Sequence, residues 1–409
     1  MRRQQKVADG KSLGDEETAL VELSNKIIAV AVTDNASDIH IDPAPKESKV
    51  RYRVDGVMHE VLTLPKNVHE PLVTRFKTLA DLDTANQRAI QTGRIIFNYE
   101  AREYDVRETV LPTYFGEKVT LRIWPESIAR VSLDKVGYSG TNRERLERCL
   151  HAPTGLLVFS GPTGCGKTTI MHAAMNSIIG PEKVVMSVED SLQFRLPGVI
   201  QISVNRKLGI SHADVLRGIM RSDPDVIMVD DDVPDKETAE QALQAAITGH
   251  MVMAVIHADD AALAIQRLLH IGADPFLLSE GLLMVSSQRL VRRVHGDCKQ
   301  PVQHPSEVVA QWRRRAEAGG LKWPDEPPTF YKGAGCDGCL HTGYYGRMGL
   351  FETMMMDQEL RNMVATCADA SQLQAAAITG GMTTMFADGV AKAIAGETTV
   401  EEVMRVLGG

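Results

Sequence analysis

Apolar and polar positions alternate with a period of two over residues 50–61, VRYRVDGVMHEV. Val50, Tyr52 and Val54 share one face, and Asp55-Gly56 supplies a tight turn. That pattern predicts a β-hairpin. The same style returns over 94–124 as RIIFNY, YDVRETVL, a turn at YFGE, and KVTLRIW with Val119, Leu121 and Ile123 on one face. Helical periodicity covers about 17–34 and 69–82. Residues 16–126 are therefore expected to form a small α+β domain with an antiparallel sheet. A short disordered tail (1–15) precedes it and a linker (127–140) follows.

From residue 141 the pattern changes. LLVF (156–159), VVMSV (184–188), VIMV (226–229) and VMAVI (252–256) are short unbroken apolar runs, with helix-like segments at 167–179, 212–221 and 237–247. Such runs alternating with helices predict a parallel sheet covered on both faces. Each run ends in polar residues: a glycine-rich loop, Glu189-Asp190, three aspartates, and His257. Open α/β sheets bind ligands at the carboxyl ends of their strands, so the four motifs are expected to meet at one site. Beyond residue 285 the pattern predicts an Arg-rich helix end, a cysteine-bearing segment, a Pro/Trp-rich stretch (305–330) and a Met-rich helical tail (352–409). Met354, Met355 and Met356 read as core filler, and the RRR run at 313–315 as a solvated helix face.

Composition narrows the class. The 409 residues are 44% apolar and 24% charged, ordinary for a globular protein with a sizeable core. A net charge of −8 argues against a protein built to lie along nucleic acid or an anionic membrane. No run approaches the roughly 18 apolar residues of a spanning helix, and the N-terminal charges have no apolar segment behind them. The expectation is a cytoplasmic protein with no direct membrane insertion. Six cysteines in a reducing compartment do not make a disulfide framework.

Two motifs carry chemistry outright. Gly161-Pro162-Thr163-Gly164-Cys165-Gly166-Lys167-Thr168, continued by Thr169, is the G-x-x-x-x-G-K-[ST] phosphate loop in its strand-to-helix setting. Its glycines let backbone N–H groups turn toward phosphate oxygens, Lys167 brings a charge, and Thr168 offers a hydroxyl to Mg²⁺. Cys165 reads as a small filler. The second motif is the pair HGDC (295–298) and CDGC (336–339), 37 residues apart. That spacing predicts a structural Zn²⁺ site of His295, Cys298, Cys336 and Cys339, with His341 and His304 as competitors for the nitrogen position. The stretch between the pairs has little core of its own, so the metal would be its main fastening.

GPTGCGKTT, SVEDSLQFRLPG, LRGIMRSDPDVIMV, ETAEQALQAAITGH and CDGCLHTGYYGRMG together resemble the type II secretion and type IV pilus assembly ATPases. The likeness runs from about SDIHIDP (37–43) to the C-terminus, and the family's usual additional N-terminal region has no counterpart. The resemblance implies a RecA-like P-loop ATPase core (141–409) preceded by a PAS-like domain. A zinc-binding subdomain falls at 292–345 and a helical region at 352–409. It implies a homo-hexamer peripheral to the inner membrane, hydrolysing ATP with Mg²⁺ and acting on an integral platform protein. Glu189 and Asp190 match the family's aspartate box, and Thr248-Gly249-His250 with His257 match its histidine box. Arg94 and Arg107 match arginines that reach the nucleotide when the two domains close. Assembly-type members usually carry cysteine where His295 stands.

After VIMV the family usually reads Gly-Glu-Ile-Arg-Asp, whereas this chain reads Asp230-Asp231-Asp232-Val233-Pro234-Asp235, one residue longer before Glu237. Counted from the strand, Asp231 takes the glutamate's place and Asp230 the glycine's. Counted from the helix, Asp232 takes it. Asp231 is the first choice for the water-orienting carboxylate and Asp232 the second, each one methylene shorter than glutamate. Asp225 is expected to be structural. Two other readings stay open: a nucleotide-binding scaffold or regulator with weak turnover, and a DNA-translocating motor, which the acidic charge disfavours.

Overall fold

A computed structural model describes residues 13–125, 131–190, 192 and 195–408; the side chains of residues 13–17, Pro125 and Asp231 are outside the described set. The chain divides into two compact units, Met1–Ile128 and Ala129–Gly409.

The first unit runs α1 (Leu13–Thr33), β1 (Ala36–Pro43), β2 (Glu47–Val54), β3 (Val57–Pro65), α2 (Lys66–Leu79), β4 (Gln91–Tyr99), β5 (Arg102–Thr113) and β6 (Gly116–Pro125). The six strands form one sheet in the order β3-β2-β1-β6-β5-β4, antiparallel at every pairing. The period-two pattern explains the burial. Val50 and Tyr52 face a core with Ile28, Ile39, Leu72, Phe76, Val106 and Leu121, while Arg51 and Arg53 face away. The turn at Asp55 (φ 49°) and Gly56 (φ 82°) joins Val54 to Val57, with both central residues left-handed as a two-residue hairpin turn needs. Helix α1 starts at Leu13, inside the expected tail; the rest of that tail lies outside the described residues.

The second unit begins with α3 (Leu133–Val136), α4 (Gly140–Leu150), β7 (Gly155–Ser160), α5 (Lys167–Asn176), β8 (Val185–Glu189), β9 (Val199–Ser203), α6 (His212–Met220), β10 (Val226–Asp232) and α7 (Lys236–Ile247). It continues with β11 (Met251–Ile256), α8 (Ala261–Ile271), α9 (Pro275–Gly281), β12 (Leu282–Val294), β13 (Lys299–Val302), α10 (Ser306–Ala318), β14 (Phe330–Gly333) and β15 (Tyr344–Met355). Helices α11 (Gln358–Ala365), α12 (Ala370–Thr379), α13 (Met385–Ile394) and α14 (Val400–Leu407) close the unit. Seven strands form a sheet in the order β15-β12-β7-β11-β10-β8-β9. All pairs are parallel except β12 with β15. The unbroken apolar runs are buried on both faces: Leu156 and Val158 enter one core, Leu157 and Phe159 the other. This is the RecA-like α/β arrangement that the resemblance implied.

Four expectations need correction. The described part of the linker is not a free connector: Leu133 is buried, and Tyr138 stacks on Phe351 with centroids 3.7 Å apart and hydrogen-bonds Ser286 at 2.5 Å. The Arg-rich helix end is the far half of strand β12, a 13-residue element. Its polar residues misled the pattern because Ser286, Ser287 and Gln288 are buried in the sheet, each with a hydrogen bond there. The Met-rich tail begins as strand, with Met354 and Met355 in β15. The stretch between the cysteine pairs does have a core: Trp312, Trp323 and Phe330 are buried with Phe386 and Val390, so a metal is not its main fastening.

Candidate nucleotide site and metal centre

Strand β7 delivers the chain into the phosphate loop. At Gly161 (φ 148°) a Cβ would lie 2.6 Å from the carbonyl oxygen of Gln288, and Gly166 (φ 88°) starts α5 from a left-handed conformation. Both positions therefore require glycine. Pro162, Thr163 and Gly164 form the rim, and Cys165 is buried beneath it. Burial pushes the Cys165 thiol up, which fits a filler rather than a reactive group. Thr168 and Thr169 are half-buried in the first turn of α5. Lys167 Nζ donates to the carbonyls of Gly161 (2.8 Å) and Pro162 (3.0 Å) and to His257 Nδ1 (3.0 Å). Burial draws the ammonium's pKa below its usual value.

The neighbouring strand ends supply the carboxylates. Glu189 is buried and accepts hydrogen bonds from Ser187 Oγ (2.7 Å) and Gln201 Nε2 (2.8 Å). Burial raises its pKa, partly offset by those two bonds. Asp190 is exposed and pairs with Arg206 at 3.1 Å. Asp225 accepts from the Val184 N–H (2.6 Å), and Asp235 caps α7 through the Thr238 N–H (2.8 Å), so both are structural.

The three aspartates separate. Pairing with β11 jumps from Val229↔Ala254 to Asp232↔Val255, so the strand bulges at 230–231. Asp230 is buried and bonded to His172 Nε2 of α5 at 2.8 Å. Asp232 Oδ1 accepts from the His257 N–H at 2.7 Å. His257 thus links Asp232 to Lys167. Pro162 and His257 also line a cleft of about 370 Å³ with Asp259, Arg267 and His270.

His250 is not brought to this end. It lies just before β11, where its carbonyl accepts from the Gly155 N–H and its Nδ1 lies 3.0 Å from the Ala245 carbonyl. Six residues of extended chain lie between it and His257, a separation on the order of 20 Å. A motif match carried both histidines, but a strand puts them at opposite sheet edges. In the first unit Arg94 and Arg107 are register partners on β4 and β5, and Arg94 pairs with Asp105 at 2.9 Å.

His172 and Gln288 were missed by the sequence reading. Gln288 Nε2 donates to the Cys165 carbonyl at 2.8 Å and holds the loop onto β12. The usable signal for His172 was a lone polar residue on the apolar helix IMHAAM.

His295, Cys298, Cys336 and Cys339 converge, their ligand atoms within 4.8 Å of one another. Cys298 Sγ and Cys336 Sγ lie 3.6 and 3.3 Å from His295 Nδ1, and Cys339 Sγ lies 3.9 and 3.8 Å from Cys298 and Cys336. Tetrahedral Zn²⁺ requires S···S and S···N edges of about 3.8 and 3.6 Å, so the donor set fits the ion. Burial pushes the Cys339 thiol up, but N–H donors from Cys336 and Gly343 outweigh it and bring it to about 6. Neither competitor joins the cluster: His341 pairs with Asp337, and His304 packs on Trp312.

A P-loop at the carboxyl edge of a RecA-like sheet, faced by carboxylates from neighbouring strands, defines a nucleoside-triphosphate protein. The chain belongs to the type II/IV secretion system protein family, whose model matches residues 14–405. It is 38% identical to type II secretion system protein E of Pseudomonas aeruginosa, covering 96% of this chain and 76% of that protein. It is 36% identical to the type IV pilus assembly ATPase PilB of Myxococcus xanthus, covering 95% and 68%. The structure of the Legionella pneumophila ATPase DotB superposes with a TM-score of 0.65 at 17% identity, covering 94% and 95%, a likeness of fold.

Proposed function

We propose that this chain is a Mg²⁺-dependent ATP hydrolase that powers assembly of a type IV pilus or type II secretion pseudopilus. In this reading it works in the cytoplasm as a homo-hexamer against an inner-membrane platform protein. One observation carries the chemistry: Lys167, His257 and Asp232, from three separate elements, form a single hydrogen-bonded chain beside the phosphate loop. Phosphoryl transfer needs positioned charge and an oriented water, and this chain of groups supports both. The relatives' names support the machinery served.

Thr168 and Glu189 offer the hard oxygen donors that would hold Mg²⁺; when bound, the ion neutralises phosphate charge. We assign the water-orienting role to Asp232 ahead of Asp231, because the bulge returns Asp232 to the β11 ladder next to His257. Asp190 remains as an outer acidic group, Arg94 and Arg107 as phosphate-directed cations, and His250 is given no catalytic role. Calorimetry of Mg·ATP on the full chain tests the site. Lys167→Ala removes a charged donor worth about 1.5–3 kcal/mol, so affinity is expected to fall roughly 10- to 100-fold; unchanged affinity contradicts the reading.

We also propose that His295, Cys298, Cys336 and Cys339 hold a structural Zn²⁺. Metal analysis is expected to find one zinc per chain, lost in Cys336→Ala. Since Trp312, Trp323 and Phe330 pack independently of it, chelation is expected to loosen amide protection around 295–298 and 336–343 without unfolding α10.

A further inference from the structure

The bulge in β10 leaves a mechanical question. The β8 ladder ends at Val229↔Val188, and the β11 ladder skips from Val229 to Asp232. Residues 230 and 231 therefore have no ladder partner among the described residues, although they carry the chain into the reactive carboxylates. An unpaired bulge at a strand end is free to shift, and a shift of about 1 Å costs on the order of a hundredfold in rate.

Beyond the ladder pairs at Val229 and Asp232 and the bond from the Val233 N–H to the Val255 carbonyl, two side-chain contacts pin it. On the far side Asp232 takes the His257 N–H. On the near side Asp230, 5% exposed, takes its bond from His172, 1% exposed. His172 lies in the second turn of α5, the helix whose first residue is Lys167. The pair therefore ties the helix that presents the phosphate-binding groups to the strand that presents the carboxylates. Asp230 Oδ1 has no hydrogen-bond partner among the described residues, so His172 provides the bond by which this buried carboxylate is oriented.

We infer that His172 is a positioning residue for phosphoryl transfer: its bond to Asp230 fixes the bulge carrying Asp231 and Asp232, and so sets their distance from the phosphate loop. This rests on the hydrolase reading above for its effect on rate, but not for its effect on the bulge. Both side chains of the pair are buried, and substrate affinity is not expected to depend on them.

The test uses the full chain with His172→Leu, Asp230→Asn and the double variant His172→Leu/Asp230→Ala. Steady-state ATP hydrolysis is measured together with melting temperature and amide exchange at residues 230–233. His172→Leu is expected to lower kcat about a hundredfold, with KM within about threefold of wild type, and to speed exchange at the bulge. Asp230→Asn keeps a hydrogen-bonding partner and is expected to retain kcat within a few-fold. Replacing both buried partners by apolar groups removes the desolvation cost; the double variant is expected to melt near wild type yet remain slow and exchange fast. A double variant with wild-type kcat and exchange would show that the pair serves folding alone and would overturn the inference. So would His172→Leu with unaltered kcat and exchange. If the wild-type chain releases no phosphate, the hydrolase reading fails, and bulge exchange in the double variant alone decides: faster supports the pin, unchanged refutes it.

Discussion

Lys77→Met is expected to destabilise the first unit by about 3–5 kcal/mol, the usual cost of stranding a buried partner. Lys77 is fully buried; its Nζ meets Glu117 at 2.6 Å and donates to the Asn86 carbonyl at 2.9 Å. Glu108 is 1% exposed beside them, and neither of its carboxylate oxygens has a hydrogen-bond partner among the described residues. Burial pushes its carboxyl up to about 8, against the pull of Lys77. The sign of the pH effect follows. Between 4.5 and about 8 the unfolded chain has lost this proton and the folded chain keeps it. Stability therefore falls as pH rises through that window, by about 1.4 kcal/mol per unit for this group. Glu108→Gln removes the linkage and is expected to stabilise the unit by about 3 kcal/mol at pH 7, with no gain near pH 4.5. Urea unfolding at the two pH values checks both variants. A Lys77→Met protein as stable as wild type would mean the buried cluster is not formed.

Asp232→Asn is expected to lower kcat by roughly 10²–10⁴, the range for a positioned acid–base group, while Mg·ATP affinity changes little. Asp231→Asn is expected to cost less. The basis is the return of Asp232 to the β11 ladder and its bond to the backbone of His257, which also meets Lys167. Single-turnover hydrolysis by the two variants decides, and a larger loss in Asp231→Asn would give the role to Asp231.

Much of this was legible before any coordinates. Period-two alternation around Val50 and Tyr52 and the Asp55-Gly56 turn are local signals, and local signals survive into the fold. The unbroken runs at 156–159 and 226–229 announced buried parallel strands, and the motifs following them fall together at one edge of the sheet. What failed depended on distant partners. Gln288 and Ser287 look like surface residues until β7 and the phosphate loop are beside them. Trp312, Trp323 and Phe330 look like an excursion until α13 arrives, some 55 residues later, to cover them. The separate positions of the three aspartates come from a register shift against β11, which no spacing rule contains. His250 lies apart from His257 because a motif is linear, whereas a strand separates its two ends in space.

The central claim is that the carboxyl ends of β7, β8, β10 and β11 bind and cleave a nucleoside triphosphate. Phosphate release from Mg·ATP by the unaltered full chain tests it most directly. The account predicts repeated Mg²⁺-dependent turnovers per chain, abolished by Lys167→Ala. Folded chain that binds Mg·ATP but releases no more phosphate than the Lys167→Ala variant would contradict the account and leave a nucleotide-binding scaffold in its place.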